Sequence, residues 1–332
     1  MPTRNPLLTI NGKTYQTIGD VHLGRKYING VPIHMRGTME KLQRENFERL
    51  LTKSGTDYSI LVGDLFDSFI VDPADVDFAA NATLAAARSD PSRTFVVLGG
   101  NHDIAKDTTK KSSFDNFKSI VREAKLSNVH LIEEPTVIDE VGYVSWSAVY
   151  SAKELAEQLK KALPVSNLHA VFGHWDVILP SNANHYNMVP TEQLKEFTKK
   201  VITGHVHKPD EIVRDDVTII LTGSILPLAH GEEIESDELF YTLNRKQYDE
   251  DPEKYNNKFV RFVLSEDEDL PEGDFLQVKA YVKPVKSSDE APEDAVAFDV
   301  SKILKKFLLE NDVEDKKVAE VIERFDAKQD RD

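Results

Sequence analysis

Short apolar runs rich in β-branched residues alternate with amphipathic stretches through the first 230 positions, a pattern that predicts an α/β layered domain. The runs predict strands at Thr14–Ile18, Tyr58–Val62, Thr94–Leu98, Val129–Ile132, Tyr143–Ser147, His169–Phe172, Lys200–Thr203 and Val217–Leu221. Between them, Met39–Leu51, Val76–Arg88, Phe114–Ala124, Ala152–Leu163 and Thr191–Lys199 place apolar residues three and four apart, as helices with one buried face do. Asn11-Gly12 predicts a hairpin turn ahead of the first internal strand.

The pattern changes after His230. Residues 231–283 are acidic and contain two strand-like runs, Phe259–Leu264 and Leu276–Val282, which suggests a small α+β capping module. Residues 284–296, mostly Pro, Ser and acidic side chains without periodicity, read as a linker. Two apolar stripes follow within 297–328, Val300, Ile303, Leu304, Phe307 and Leu308, then Val318, Val321, Ile322 and Phe325, separated by Asn311-Asp312. They predict a C-terminal helical pair.

A chain of 332 residues, 40% hydrophobic and 30% charged, has enough apolar material for a substantial core. It contains no cysteine, so disulfides, thiolate zinc, iron–sulfur clusters and cysteine nucleophiles are excluded, and any metal must be held by nitrogen and oxygen. There is no apolar run of about 18 residues and no leader-like N-terminus. A cytoplasmic protein with no membrane contact is the expectation. The net charge of −16 argues against a nucleic-acid partner only if it is spread evenly. It is not: residues 231–332 carry 16 Lys and Arg against 29 Asp and Glu, leaving a net −3 for the first 230.

Five segments share one design, in which a strand-like run ends and glycine precedes a metal-capable side chain. They are GDVH from Gly19, GDLFD from Gly63, GGNHD from Gly99, GHWD from Gly173 and GHVH from Gly204. Side chains just past several strand ends of an α/β sheet can converge on one crevice. The candidate ligands are Asp20, His22, Asp64, Asn101, His174, His205 and His207, with His102 beside them. Imidazole, carboxylate and amide oxygen together suit manganese, iron or zinc, and a carboxylate can bridge two ions. Arg25, Lys26, Lys110 and Lys111 follow the motif loops and are candidates for substrate phosphates or ordinary solvated charges. His34, His130, His169, His185 and His230 match no ligand position, although His185 and His230 could line the cleft. Asp103 and Asp176 read as supports of the turns.

The ordered series DxH, GDxxD, GNHD, GHxx and GHxH resembles the calcineurin-like metallophosphoesterases. Within them, GDLFD, GNHD, the GHW segment, TGSILPLAHGEE (222–233) and the helical tail look most like the SbcD-type DNA-repair nuclease subunit, particularly its phage-encoded versions. The resemblance implies a layered β-sandwich flanked by helices. It implies that Asp20, His22, Asp64 and His207 hold one divalent ion, most often Mn2+ with Fe2+, Zn2+ or Mg2+ as alternatives. Asp64, Asn101, His174 and His205 would hold the other, with Asp64 as the bridge. His102 would act as acid or transition-state stabiliser, and Asp67 could orient or ionise it. In some members the position of Asp67 is a histidine.

The function implied is phosphodiester hydrolysis of DNA by a metal-bridging hydroxide. The partners implied are a coiled-coil SMC-like ATPase of the SbcC type, docked by the helical hairpin, and a second copy of the chain paired through Val76–Arg88 or Phe114–Ala124. Two alternatives remain open on the residues alone. One is a stand-alone phosphatase or a small-molecule or cyclic-nucleotide phosphodiesterase, whose ligand shell would be identical; the other is a degenerate binding scaffold, which the intact ligand set disfavours.

Overall fold

A computed structural model of the chain describes residues 2–104, 109–147, 152–162, 168–176, 194–265 and 268–282. The chain divides into two units, Met1–Lys283 and Pro284–Asp332. The predicted linker, the helical pair and His185 lie outside the described residues.

Two sheets form the body of the first unit. The first has strand order β1-β2-β3-β4-β5, built from β1 (Leu7–Ile10), β2 (Lys13–Ile18), β3 (Tyr58–Val62), β4 (Thr94–Leu98) and β5 (Val129–Leu131). The β1–β2 hairpin is antiparallel and turns at Asn11 and Gly12, which both have positive φ as a type I′ turn requires; the remaining pairs are parallel. The second sheet has six strands: β6 (Thr136–Ile138), β7 (Val141–Val144), β8 (Ala170–His174), β9 (Lys200–Gly204), β10 (Asp210–Arg214) and β11 (Val217–Leu221). Their order is β10-β11-β9-β8-β7-β6, parallel through the centre with an antiparallel strand at each edge.

Alternation along the strands sorts side chains between layers. Tyr58, Ile60, Val62, Val96 and Leu98 point from the first sheet into a shared core with Tyr143, Ala170, Phe172, Ile202 and Ile220 of the second. Leu61, Phe95 and Val97 point the other way, under helices α1 (Thr38–Leu51), α2 (Pro73–Ser89) and α3 (Ser113–Glu123). The outer face of the second sheet buries Val171, Val201, Ile219 and Leu221 with Leu159 of α4 (Ala152–Ala162), Leu194 and Phe197. The expected layered sandwich flanked by helices is therefore the fold.

A third sheet, all parallel, joins β12 (Phe240–Leu243), β13 (Phe259–Leu264) and β14 (Gln277–Val282), with the short helix α5 (Arg245–Glu250) packed beside it. Phe240, Phe259 and Leu276 share a cluster with Val31 and Met39, so this module sits on the loop that leaves the DVH motif. Among the described residues no helix is long and apolar enough to cross a membrane.

Some boundaries differ from the sequence pattern for local reasons. The strand expected at Tyr143–Ser147 leaves its ladder after Val144, because Ser145 Oγ accepts the Gly99 N–H at 3.0 Å and the Trp146 N–H reaches the Gly99 carbonyl at 2.9 Å. β10 (Asp-Glu-Ile-Val-Arg) carries no strong apolar run of its own and owes its conformation to ladder bonds with β11.

Phe172 is fully buried between the sheets, its ring 5.5 Å from Tyr143 and 5.9 Å from Tyr15. Phe172→Ala should cost about 3–5 kcal/mol of stability. Denaturant midpoints of the two proteins check this, and a loss within the error of the titration would refute the inter-sheet packing.

Candidate metal centre

The motif residues gather where the carboxyl ends of β2, β3, β4, β8 and β9 meet. Several leave their strands abruptly: Asp20, His22, Asp64 and His205 have φ of 39°, 52°, 48° and 79°. Each non-glycine residue in this left-handed region costs on the order of 1–3 kcal/mol and persists only where its surroundings hold it. The holding bonds are visible. The Asp20 carboxylate accepts the His205 N–H at 3.0 and 3.2 Å, Asp64 Oδ1 accepts the His102 N–H at 2.8 Å, and the Asp64 carbonyl accepts the His22 N–H at 3.0 Å. Asp103 is wholly buried and accepts the N–H groups of Leu65, Phe66 and Gly100 at 2.9–3.1 Å, clamping the GDLFD loop to the GNHD loop. Burial, then the nearby Asp64 charge, pushes its carboxyl up to about 7. Glycine is required at two contacts. A Cβ on Gly63, where φ is 88°, would strike the His174 ring, and one on Gly100 would strike the Asp64 carboxylate.

Three sets of side chains bring a ligand atom each within 4.8 Å of one another: Asp20, His22 and His207; His22, Asp64 and His102; Asp64, His174 and His205. Asp64 and His22 belong to two sets each, so the sets interlock. Asp64 Oδ2 is 3.3 Å from His174 Nε2 and 3.8 Å from His22 Nε2. His22 Nε2 faces His207 Nε2 at 3.1 Å. Asn101 Oδ1 lies 3.1 Å from His174 Nε2 and 2.9 Å from His205 Nδ1. All seven predicted ligands and His102 are thus assembled at one place.

The second ring nitrogens show which atoms remain for a cation. His174 Nδ1 is 2.8 Å from the Val62 carbonyl, which can only accept, so in the neutral ring Nε2 keeps its lone pair toward Asn101 Oδ1 and the Asp64 carboxylate. His207 Nδ1 is 3.0 Å from Glu232 Oε1, and Glu232 Oε2 accepts the Leu228 and Ala229 N–H groups at 2.8 and 3.2 Å. A carboxylate–imidazole pair of this kind orients a metal-binding histidine and raises its basicity. Lone pairs, carboxylate oxygens and an amide oxygen converging in a buried space fit divalent cations. The electrostatics agree. Burial opposes charge on His174, yet the Asp64 and Asp20 carboxylates outweigh it and push the imidazole up to about 9. Burial, reinforced by the Asp64 charge, raises the Asp20 carboxyl. Partial burial and the neighbouring His174 charge push the His205 imidazole down to about 4.

Asp67 contacts His102 through its backbone and His22 and Arg25 through its side chain. Its carboxylate approaches His22 Nδ1 at 3.2 Å, in an orientation poor for a hydrogen bond, and Arg25 Nη1 at 3.4 Å. It is the Asp67 backbone carbonyl that accepts from His102 Nδ1, at 2.5 Å. Arg25 is half-buried and committed to Asp67, whereas Lys26 is exposed. Lys111 is exposed on the loop that opens into α3, and Thr242 Oγ1 lies 3.5 Å from His230 Nδ1. Glu232 escaped the sequence reading as a site residue. It is the glutamate of the Gly231-Glu232 pair in the 222–233 segment, which carries part of the family resemblance.

A two-sheet sandwich whose strand ends converge on interlocked histidine–carboxylate sets has the architecture of a metal-dependent hydrolase. Residues 17–209 match the calcineurin-like phosphoesterase family, a stretch that includes every motif residue from Asp20 to His207. The chain belongs to that family and is a metal-dependent phosphoesterase. Among solved structures, the phosphopantetheinyl hydrolase PptH from Mycobacterium tuberculosis is 13% identical with a TM-score of 0.39, covering 64% of this chain and 89% of its own. GAP50, the anchor in the inner membrane complex of Plasmodium, is 11% identical with a TM-score of 0.33, covering 64% of this chain and 71% of its own. No curated protein matches the chain.

Asp64→Ala should reduce the affinity of both ions, because Asp64 contributes to two sets of ligand atoms. Manganese titration calorimetry on the metal-stripped protein measures this, and two tight sites in the variant would remove Asp64 from its shared position.

Proposed function

We propose that the protein is a two-metal nuclease subunit that hydrolyses DNA phosphodiester bonds together with an SMC-like ATPase. The observation that carries the two-metal reading is the position of Asp64, shared by two sets of ligand atoms with His102 alongside. Asp20, His22, Asp64 and His207 would hold one ion, and Asp64, Asn101, His174 and His205 the other. Bound there, divalent ions would supply Lewis-acid charge to phosphate oxygens and lower the pKa of water.

The chain's own residues then have distinct tasks. Asp20 and Asp64 counter the cationic charge from buried positions. With Nδ1 tied to the Asp67 carbonyl, His102 has Nε2 available to hold a proton for the leaving oxygen. Asp67 steadies His102 through its carbonyl and places its carboxylate charge 3.2 Å from His22 Nδ1.

DNA as substrate is supported by the resemblance carried by GDLFD, 222–233 and the tail. It is supported further by the loop after His22. From Leu23 to Gly37 that segment contains Arg25, Lys26 and Arg36 and no acidic residue, and Lys26 and Arg36 are exposed. Phosphate contacts of this type position a nucleic-acid backbone. The same resemblance supports manganese as the ion, the 297–328 hairpin as the ATPase dock, and pairing of two copies through α2 or α3. The competing reading is a stand-alone phosphatase or small-molecule phosphodiesterase, whose ligand shell would be identical.

The deciding assay is manganese-dependent cleavage of labelled single- and double-stranded DNA beside a small aryl phosphodiester. His102→Ser should bind metal normally and hydrolyse roughly 10²–10⁴-fold more slowly. If only the aryl ester is cleaved, with and without a candidate ATPase and ATP, the nuclease reading is wrong.

A further inference from the structure

Arg4 and Asn5 precede the first strand and belong to no motif, yet their side chains reach the metal centre's supports. The Arg4 side chain is 9% exposed. Its Nη1 donates to the His207 carbonyl at 2.8 Å and to Ser224 Oγ at 3.2 Å, and its Nη2 donates to the Glu232 carbonyl at 2.5 Å. Nε and Nη2 grip the Asp237 carboxylate at 2.9–3.0 Å, and Asp237 in turn accepts the Ile234 N–H at 2.9 Å. One planar guanidinium therefore holds the backbone of both partners in the Glu232–His207 pair. Asn5 works on the same side. Its Oδ1 accepts the N–H of Gly19, the neighbour of Asp20, at 2.7 Å, while its own N–H and Nδ2 reach the Thr222 and Ser224 carbonyls at 2.8 and 3.2 Å.

These contacts bear on Asp20, His207 and Glu232. None of the Arg4 or Asn5 bonds goes to Asp64, His174 or His205. We propose that Arg4 is a positioning residue for the Asp20–His22–His207 half of the centre, fixing His207 through Glu232, while none of its bonds reaches His174 or His205 in the other half. A lysine cannot substitute, because a compact ammonium lacks the fork that meets acceptors on three separate segments at once. The inference rests on the two-ion reading of the site.

Manganese(II) titration calorimetry on the full chain, stripped of metal beforehand, separates the two. The proteins compared are wild type, Arg4→Gln, Arg4→Lys and Arg93→Gln. Arg93 is a buried arginine bonded to the Leu51 carbonyl at 2.8 Å, just before β4 and so at the opposite ends of the strands. Both Arg4 variants should weaken one manganese ion by roughly 10–100-fold and leave the other as in wild type. Arg93→Gln should lower the melting temperature without separating the two affinities. Should Arg4→Gln fail to fold, Asp237→Asn tests the same grip from its other side and should give the same split. Unchanged affinities, or an equal fall of both, overturn the role of Arg4. A wild type that binds fewer than two ions overturns the two-ion reading instead.

Discussion

The cost of burying Asp20 and Asp64 organises the rest of the centre. Taking a carboxylate out of water costs several kcal/mol unless opposite charge and hydrogen bonds replace the lost solvent. Asp20 is fully buried and Asp64 is 2% exposed, and each is met by backbone N–H groups and imidazoles. Those N–H groups can point inward only if the chain turns sharply at the strand ends, which is why Asp20, His22, Asp64 and His205 occupy left-handed conformations. The raised affinity of His174 for a proton expresses the same demand for positive charge, which divalent ions would meet.

The sandwich makes this arrangement possible by packing two mainly parallel sheets face to face, so that the carboxyl ends of their central strands lie together. Ligands come from both: Asp20, Asp64 and Asn101 follow strands of the first sheet, while His174 and His205 stand at the ends of adjacent strands of the second. The aromatic stack of Tyr15, Phe172 and Tyr143 between the sheets sets their separation, so packing well away from the chemistry fixes how closely the two groups of ligands approach. The third sheet contributes no ligand among the described residues. It packs on the basic loop after His22, and Asp237, three residues before β12, shares a guanidinium with the His207 backbone.

Much of this was legible in the order of residues. The alternation of apolar runs with helical stripes, the Asn-Gly turn and the five glycine-led motifs are local signals, each complete within a few positions. They sufficed for the layered fold and for the motif side chains that meet at the centre, because each candidate ligand sits at a strand end or within four residues of one. Weak strands such as β10, with mostly exposed polar side chains, had no such signal and form because a neighbour supplies the ladder.

What the sequence by itself determined is the chemistry available: nitrogen and oxygen ligands, no sulfur, glycines where backbones must approach, and a family's motifs in order. What only the tertiary structure decided is who serves whom. Asp67 supports His102 with its carbonyl rather than its carboxylate, Glu232 pairs with His207, and Arg4 reaches across 203 residues of chain to the His207 carbonyl. Such partnerships depend on backbone atoms and on contacts distant in sequence. No spacing rule encodes them, because a carbonyl is the same at every position and only folding chooses which one a side chain meets.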